Sequence, residues 1–306
     1  MKTKSLAFVF SVVVLLVVGL VVVFAGGGDE TGPVGSLDES TVFGEATETD
    51  SALGGRIYIE GLGDFDFDPD AVKTVREDIF TPNHFSIFDI LVHLDDSGRI
   101  DMDYSYEAAM NTNVIEAIDG EENWWYVAFY DGGWEETNNF RMDHYPYKDK
   151  MYIRLFQTDQ LTLDNKYNAF REEIERGEAN GGRVIIPEVI IIGPDSNLRF
   201  SDVEVRPHDL RNDVFQPGVI TAIDAIMTLG DEGKLAYDLQ WQESVGSAEV
   251  VRSYWVSRID KDVSYGGCGF VYEAGNWGMR GNHIHIPSDT RVINSPEYEQ
   301  WFWICL

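Results

Sequence analysis

The stretch GDFDFDPD carries an aspartate at every second position, beginning with Asp64. Carboxylate oxygens are the ligands that Ca²⁺ prefers, so Asp64, Asp66 and Asp68 are candidates for a weak calcium site. An EF-hand loop starting there would need glycine at its sixth position and glutamate at its twelfth, where this chain has Pro69 and Val75. The alternation also predicts a strand whose acids face solvent at a sheet edge, and this interpretation is favoured.

Histidines offer a second kind of metal chemistry. His283 and His285 would lie on the same side of a strand, as a metal pair could. A closed zinc site needs about four ligands, and no cysteine or third histidine stands at a usual spacing. His144 and His285 each precede a proline by two residues, which predicts a shared turn or hydrogen bond. Both are also kept as candidate ligand-binding residues.

Catalytic motifs are missing from the sequence. It contains no Gly-x-Ser-x-Gly and no phosphate-binding glycine loop. Acids flank an aromatic run at Glu121, Glu122, Glu135 and Glu136, and paired carboxylates near aromatics are typical of glycosidases. Acids are so abundant here that chance pairs are expected, so a hydrolase is the weaker alternative and no catalytic residue is predicted.

Tryptophans indicate binding better than the acids do. Trp124 and Trp125 are adjacent, so they would point to opposite faces of a strand and one could be exposed. Trp134 and Trp277 fall in glycine-containing turns at matching positions and are the first candidates for exposed contacts. Exposed tryptophan suits stacking on cyclic ligands or a partner surface, whereas core packing is the alternative.

Charge excludes several partner classes. The 306-residue chain has a formal net charge of −30, so it cannot neutralise nucleic-acid phosphates and would not dock on anionic headgroups. The composition predicts either a solvated, self-repelling surface or one that collects cations.

The N-terminus predicts the compartment. Lys2 and Lys4 precede an uncharged apolar run over residues 5–25. Its length favours an uncleaved membrane anchor, although a cleaved signal segment is also compatible with the small residues near its end. Under both interpretations the remainder is extracytoplasmic. Residues 26–54 are polar and acidic, which predicts a disordered linker.

Two cysteines, Cys268 and Cys305, are the only ones in the chain. An oxidising compartment favours a disulfide between them, and two buried thiols are the alternative.

An internal duplication predicts the domain organisation. REDIFTP, ending at Pro82, matches RNDVFQP, ending at Pro217, and later segments match in the same order. We therefore expect one domain over residues 55–157, a connecting helix or linker over 158–181, and a second copy over 182–306. Because loops differ in length, the offset between the copies drifts along the chain.

Each copy contains one helix signal among β-rich runs. Ser86 and Thr221 are predicted N-caps, with Asp89 and Asp224 three residues on as a capping box. The order of strands around one helix predicts an α+β fold with a mixed or antiparallel sheet.

These segments resemble a known module. SIFDIL at Ser86 and TAIDAI at Thr221, the strand end at Ile118–Gly120 and the run NWWYVAFYDGGW are similar to the β-grasp domain at the C-terminus of transcobalamin-type proteins. The resemblance implies two tandem β-grasp-like domains on a secreted or anchored chain that binds a small ligand or a protein partner. Corrinoid is the ligand of the vertebrate proteins, but their helical domain has no counterpart here, and no family ligand residue maps onto this chain.

The sequence thus predicts a non-catalytic extracytoplasmic binding protein for a small molecule or a surface protein, attached to the membrane by its N-terminal helix or secreted. A structural or adhesive cell-surface protein is the main alternative. No cofactor is required, with Ca²⁺ or a corrinoid as the candidates.

Overall fold

The computed structural model describes residues 55–130, 139–279 and 286–305, and it is a mixed α/β protein with several sheets. The predicted anchor at 5–25 and linker at 26–54 lie outside these residues. Within the described ranges, none of the helices is long and apolar enough to cross a membrane.

Six strands and one helix make up the first half of the described chain, residues 55–157. The elements are Gly55–Ile59 (β1), Gly63–Phe67 (β2), Ile87–Asp96 (α1), Met102–Glu107 (β3), Thr112–Ile118 (β4), Trp124–Tyr130 (β5) and Met151–Gln157 (β6). One sheet has the order β2-β1-β6-β5, in which β1 and β6 are parallel and the other pairs antiparallel. Strands β3 and β4 form a separate hairpin.

The second half, residues 182–305, repeats this order. Its elements are Ile185–Ile192 (β7), Asn197–Glu204 (β8), Ile223–Asp231 (α3), Tyr237–Gln242 (β9), Ser253–Ile259 (β10), Asp262–Val263 (β11), Cys268–Gly275 (β12) and Tyr298–Cys305 (β13). The sheet β8-β7-β13-β12 corresponds to β2-β1-β6-β5, and again its central pair is parallel. The hairpin β9–β10 corresponds to β3–β4 and gains the short strand β11.

Helix α1 begins as the sequence predicts. Ser86 accepts a hydrogen bond from the Asp89 amide at 3.2 Å, and Asp89 accepts one from the Ser86 amide at 2.6 Å, which completes the capping box. Phe88 and Leu91 are fully buried on its inner face. The helix ends before Gly98, whose φ of 69° is the left-handed conformation that glycine adopts most easily.

Helix α3 has a different start. Thr221 and Asp224 are hydrogen bonded through the Thr221 amide and hydroxyl, at 2.7 and 2.9 Å. The N-cap residue is Ala222, however, and no side chain caps the helix. The predicted capping box is therefore only half formed.

The segment between the halves is a 20-residue helix, Gln160–Ala179 (α2). It lies within the segment 158–181, for which the sequence predicts a connecting helix or linker, and Asp159 caps its start by accepting from the Thr162 amide at 2.9 Å. Arg141 of the first half binds α2 by donating to Glu173 at 2.6 Å and to the Phe170 carbonyl at 3.1 Å. This helix therefore covers the first half.

Asp64 and Asp66 of GDFDFDPD lie on β2, which is an edge strand, and Asp68 follows it. Asp64 and Asp66 are exposed, and Asp66 pairs with Arg56 at 2.9 Å. Asp68 accepts from the Asp70 amide at 3.1 Å and so caps a short 3-10 helix. Two of the three calcium candidates thus already have structural partners.

Candidate functional site

A buried arginine organises the loop before α1. The Arg76 guanidinium donates twice to Asp78, both at 2.8 Å, and once to Asp143 at 2.8 Å. Burial by itself lowers the pKa of Arg76, but the hydrogen bonds and charges of the two aspartates more than offset it and raise the pKa. This arginine therefore stays charged and fixes both carboxylates.

The same cluster recurs in the second half. Arg211 donates to Asp213 at 2.9 and 3.0 Å and to Asp289 at 2.9 Å. Asp143 and Asp289 are both completely buried, and each also accepts a backbone amide from the neighbouring hairpin, from Asn113 and Tyr254. Each cluster thus ties a loop, a hairpin and a 3-10 or turn segment together.

An exposed aromatic ring covers each arginine. The Arg76 guanidinium lies 5.6 Å from the ring centre of Tyr106 on β3, and that of Arg211 lies 5.3 Å from Trp241 on β9. Tyr106 is 53% exposed and Trp241 is 37% exposed. Each pair has the geometry of a cation–π contact, which holds the ring in place while its outer face meets solvent.

These two rings were not selected from the sequence. The signal that could have found them is their matching position in the two copies, one in YSYE and the other in LQWQ, within strands that alternate polar and apolar residues.

The two clusters are joined by a symmetric seam. Phe80 and Phe215, which match in the sequence, pair with each other as an isolated antiparallel bridge. The Thr81 amide donates to the Val214 carbonyl at 3.0 Å, and the Gln216 amide donates to the Ile79 carbonyl at 2.8 Å. Because each half gives the other an equivalent bond, the contact is isologous, like a two-fold interface within one chain.

Lys148 adds a further contact across the seam. Its amine donates to the Val251 carbonyl at 2.6 Å and to the Ser253 hydroxyl at 2.7 Å. Burial lowers its pKa to about 8, although the charge of Asp289 opposes this effect.

Trp124 and Trp125 are both 4% exposed, so the expectation that one of this pair is exposed is wrong. Strand β5 is buried on both faces. Helix α2 covers Trp125, with Tyr167 and Phe170 ring centres at 6.2 and 6.3 Å. Local alternation along a strand carries no information about a helix that follows later in the chain.

Trp277 and His144 are the other predicted ligand residues that the structure describes. Trp277 is half-buried and stacks on Tyr298, with ring centres 3.9 Å apart. His144 is buried, with Nε2 at 2.9 Å from both Arg76 Nη1 and the Asn111 carbonyl oxygen. Burial lowers its pKa to about 3, so it is neutral and belongs to the Arg76 cluster.

Two predicted ligand residues, Trp134 and His285, lie outside the described residues, as do His283, Glu135 and Glu136.

The buried aspartates also define which residues of the halves are equivalent. Asp143 and Asp289 bind corresponding arginines, so His144 corresponds to Thr290 and not to His285 as the sequence match predicts. Hydrogen bonds of two buried tyrosines, to the carbonyls of residues 140 and 286, give the same register.

Two small cavities of about 20 Å³ each lie in the described part of the chain. One of them is lined by Tyr130 of the first half and by residues of the second half such as Trp255, Tyr272 and Trp301. About 10–15 Å³ is needed for one water, so each has room for roughly a single water. Nor do three or more histidine, cysteine or acidic side chains converge as metal ligands anywhere in the described ranges.

A disulfide joins Cys268 and Cys305, with an S–S distance of 2.03 Å, and thereby links β12 to β13.

Comparison of the chain with protein-family models, with curated proteins and with solved structures finds no match.

Proposed function

We propose that this chain is an extracytoplasmic, non-catalytic binding protein made of two tandem β-grasp-like domains. The strand order around a central parallel pair in each half supports the domain assignment. The disulfide and the apolar N-terminal run, residues 5–25, support a location outside the cytoplasm.

The observation that carries the binding role is the pair of exposed rings, Tyr106 and Trp241, at equivalent positions. An exposed aromatic that is already fixed loses little side-chain entropy on binding, which makes it a good contact residue. The two cavities described above have room for roughly one water each, which favours a partner that docks on the surface over a small molecule enclosed in either of them. The net charge of −30 favours a basic partner protein.

Crosslinking in the native host tests this proposal. The tagged full chain is compared with the variant Tyr106→Ser/Trp241→Ser, and crosslinked proteins are identified by mass spectrometry. We expect a specific partner whose yield falls at least tenfold in the double variant. Tyr265→Ser is the matched control, because Tyr265 is a 68% exposed tyrosine outside both clusters. Equal crosslinking by all three proteins would contradict a role for the two rings.

A further inference from the structure

A buried acid–base pair distinguishes the second half from the first. Ala274 of β12 pairs with Glu299 of β13, just as Ala128 of β5 pairs with Ile153 of β6. All four positions are buried. The second half therefore places a carboxyl group where the first half has an aliphatic side chain.

The residue that covers this position differs as well. In the first half, the Tyr145 hydroxyl donates to the Ala128 carbonyl at 3.4 Å. In the second half, Arg291 takes this role and donates to the Ala274 carbonyl at 2.5 Å. Tyr145 and Ile153 of the first half thus correspond to Arg291 and Glu299 of the second half.

Glu299 is completely buried and only half satisfied. Its Oε1 accepts from the Trp301 indole at 2.6 Å, whereas its Oε2 accepts from no described residue. Its parallel neighbour on β7 is the uncharged Val189. The charged and titratable groups around it are Arg291 from the segment before β13, Tyr272 from β12, and Asp224 at the start of α3, which is bonded to His208.

Arg291 reaches across the seam. It is buried, and its guanidinium lies 5.0 Å from the ring centre of Phe140 in the first half. Its Nε and Nη1 donate to no described residue, so neither of them is hydrogen bonded to Glu299. A buried arginine with free donors thus lies near a buried carboxyl group with a free acceptor.

We propose that Glu299 and Arg291 form a proton-operated switch between the two halves. While Glu299 is protonated and neutral, Arg291 rests on Phe140 and contributes to the seam. When Glu299 releases its proton to solvent, the carboxylate draws the free N–H groups of Arg291 toward itself, and the guanidinium leaves Phe140. The seam contact and the protonation of Glu299 are therefore coupled.

The burial and neighbouring charges of Glu299 determine the pH range over which the switch acts. Burial raises the pKa of Glu299 to about 8, and Asp224 adds to this, while the Trp301 hydrogen bond and the charge of Arg291 oppose it. The switch would thus act in mildly alkaline surroundings, which an extracytoplasmic protein can meet.

NMR of the full chain tests the switch, with ¹⁵N-labelled tryptophan and ¹³C-labelled phenylalanine. We expect the Trp301 indole signal and the Phe140 ring signals to titrate together between pH 6 and 10, with one midpoint near 8. Glu299→Gln should abolish both titrations. Glu273→Gln is the matched control, because Glu273 is a buried glutamate on the paired strand that accepts from Tyr298, and it should leave both titrations in place.

Arg291→Met separates the two parts of the switch. Loss of the nearby positive charge should move the Trp301 midpoint to higher pH and remove the Phe140 response. A Trp301 signal that stays constant from pH 6 to 10 would overturn the proposal. So would a Trp301 titration that leaves Phe140 unchanged, because Arg291 would then not link the two.

Discussion

The two halves of this protein share strand order, arginine clusters and seam contacts, yet they bury different side chains at two neighbouring pairs of equivalent positions. The first half buries Ile153 beneath Tyr145, and the second buries Glu299 beneath Arg291. Because the apolar pair supports the same sheet, the architecture does not require the ionisable pair. Replacement of buried ionic groups by apolar ones is often neutral or stabilising, so the pair is better explained by a function than by stability.

Other differences concern how each half is held together. The first half has a complete capping box on α1 and is covered by helix α2. The second half has no side-chain cap on α3 but has the Cys268–Cys305 disulfide. The comparison indicates that the same topology is stabilised in the first half by a capped helix and the packing of α2, and in the second half by a disulfide.

The largest expected effect comes from removing the shared arginine. Arg76→Met leaves the fully buried Asp143 without its cation, so we expect a loss of about 3–5 kcal/mol in the free energy of unfolding. Arg211→Met should lower the free energy of unfolding by less. Arg76 donates to the backbone and side-chain oxygens of Asn111 in addition to its aspartates, whereas Arg211 has one additional bond, to the Arg252 carbonyl. Urea unfolding of both variants measures the difference. Equal losses, or a larger loss for Arg211→Met, would mean that the extra partners add nothing.

The disulfide should rank next. Cys268→Ser/Cys305→Ser opens a link between residues 37 positions apart, for which chain entropy gives about 2–4 kcal/mol. Hydrogen exchange should then rise in β12 and β13 and stay unchanged in β5 and β6. Reduction of the unmodified protein serves as the control and should give the same pattern. Uniform loss of protection in both halves would show that they unfold as one unit.

Two buried ionisable groups, Glu299 of the second half and Lys166 of helix α2, should contribute to stability with opposite dependence on pH. Glu299 has a folded pKa of about 8 against about 4.3 unfolded, so the folded state holds its proton more tightly and stability falls as pH rises from about 4 to 8. Lys166 of α2 lies 4.9 Å from the Trp125 ring and is hydrogen bonded to Asn139. Burial lowers its pKa to about 8 against about 10.4 unfolded, so stability rises with pH between about 8 and 10.

Two substitutions distinguish the contributions of Glu299 and Lys166 to the pH dependence of stability. Glu299→Gln should remove the fall in stability that this carboxyl group contributes below pH 8, where His144 contributes a rise. Lys166→Met should reduce the rise above pH 8, to which Lys148 also contributes. Chemical denaturation at steps between pH 4 and 10 gives the profiles. A Glu299→Gln profile that parallels the unmodified protein below pH 8 would show that the buried carboxyl group is not the source of the slope.

Local signals were enough to predict much of the fold. The capping residues Ser86 and Asp89 and the stop at Gly98 lie within a few positions of the helix they define, so the sequence specifies α1 closely. Apolar and β-branched runs indicate the strands β1, β5, β6, β7, β12 and β13 for the same reason, whereas the polar sequence of β8 carries no such signal.

The site depends on contacts that the local pattern does not contain. Trp125 is buried by helix α2, which follows β5 by some thirty residues. The position of His144 depends on Arg76, far earlier in the chain, and a drifting alignment paired it with the wrong residue. Tyr106 and Trp241 were detectable, because their match between copies follows from the duplication itself.

The smallest expected effect tests whether the two exposed rings are interchangeable. Each ring has a polar tip suited to its own half: the Tyr106 hydroxyl donates to Asn111 at 3.0 Å, and the Trp241 indole donates to Glu243 at 2.8 Å. Tyr106→Trp and Trp241→Tyr keep a ring over each arginine but disturb these tips, so each should lower the free energy of unfolding by less than about 1 kcal/mol. Thermal unfolding of the two single variants and the double variant measures the effect. If Tyr106→Trp instead stabilises the protein, the cation–π contact with Arg76 outweighs the hydrogen bond to Asn111, and the ring types differ between the halves for a reason other than stability.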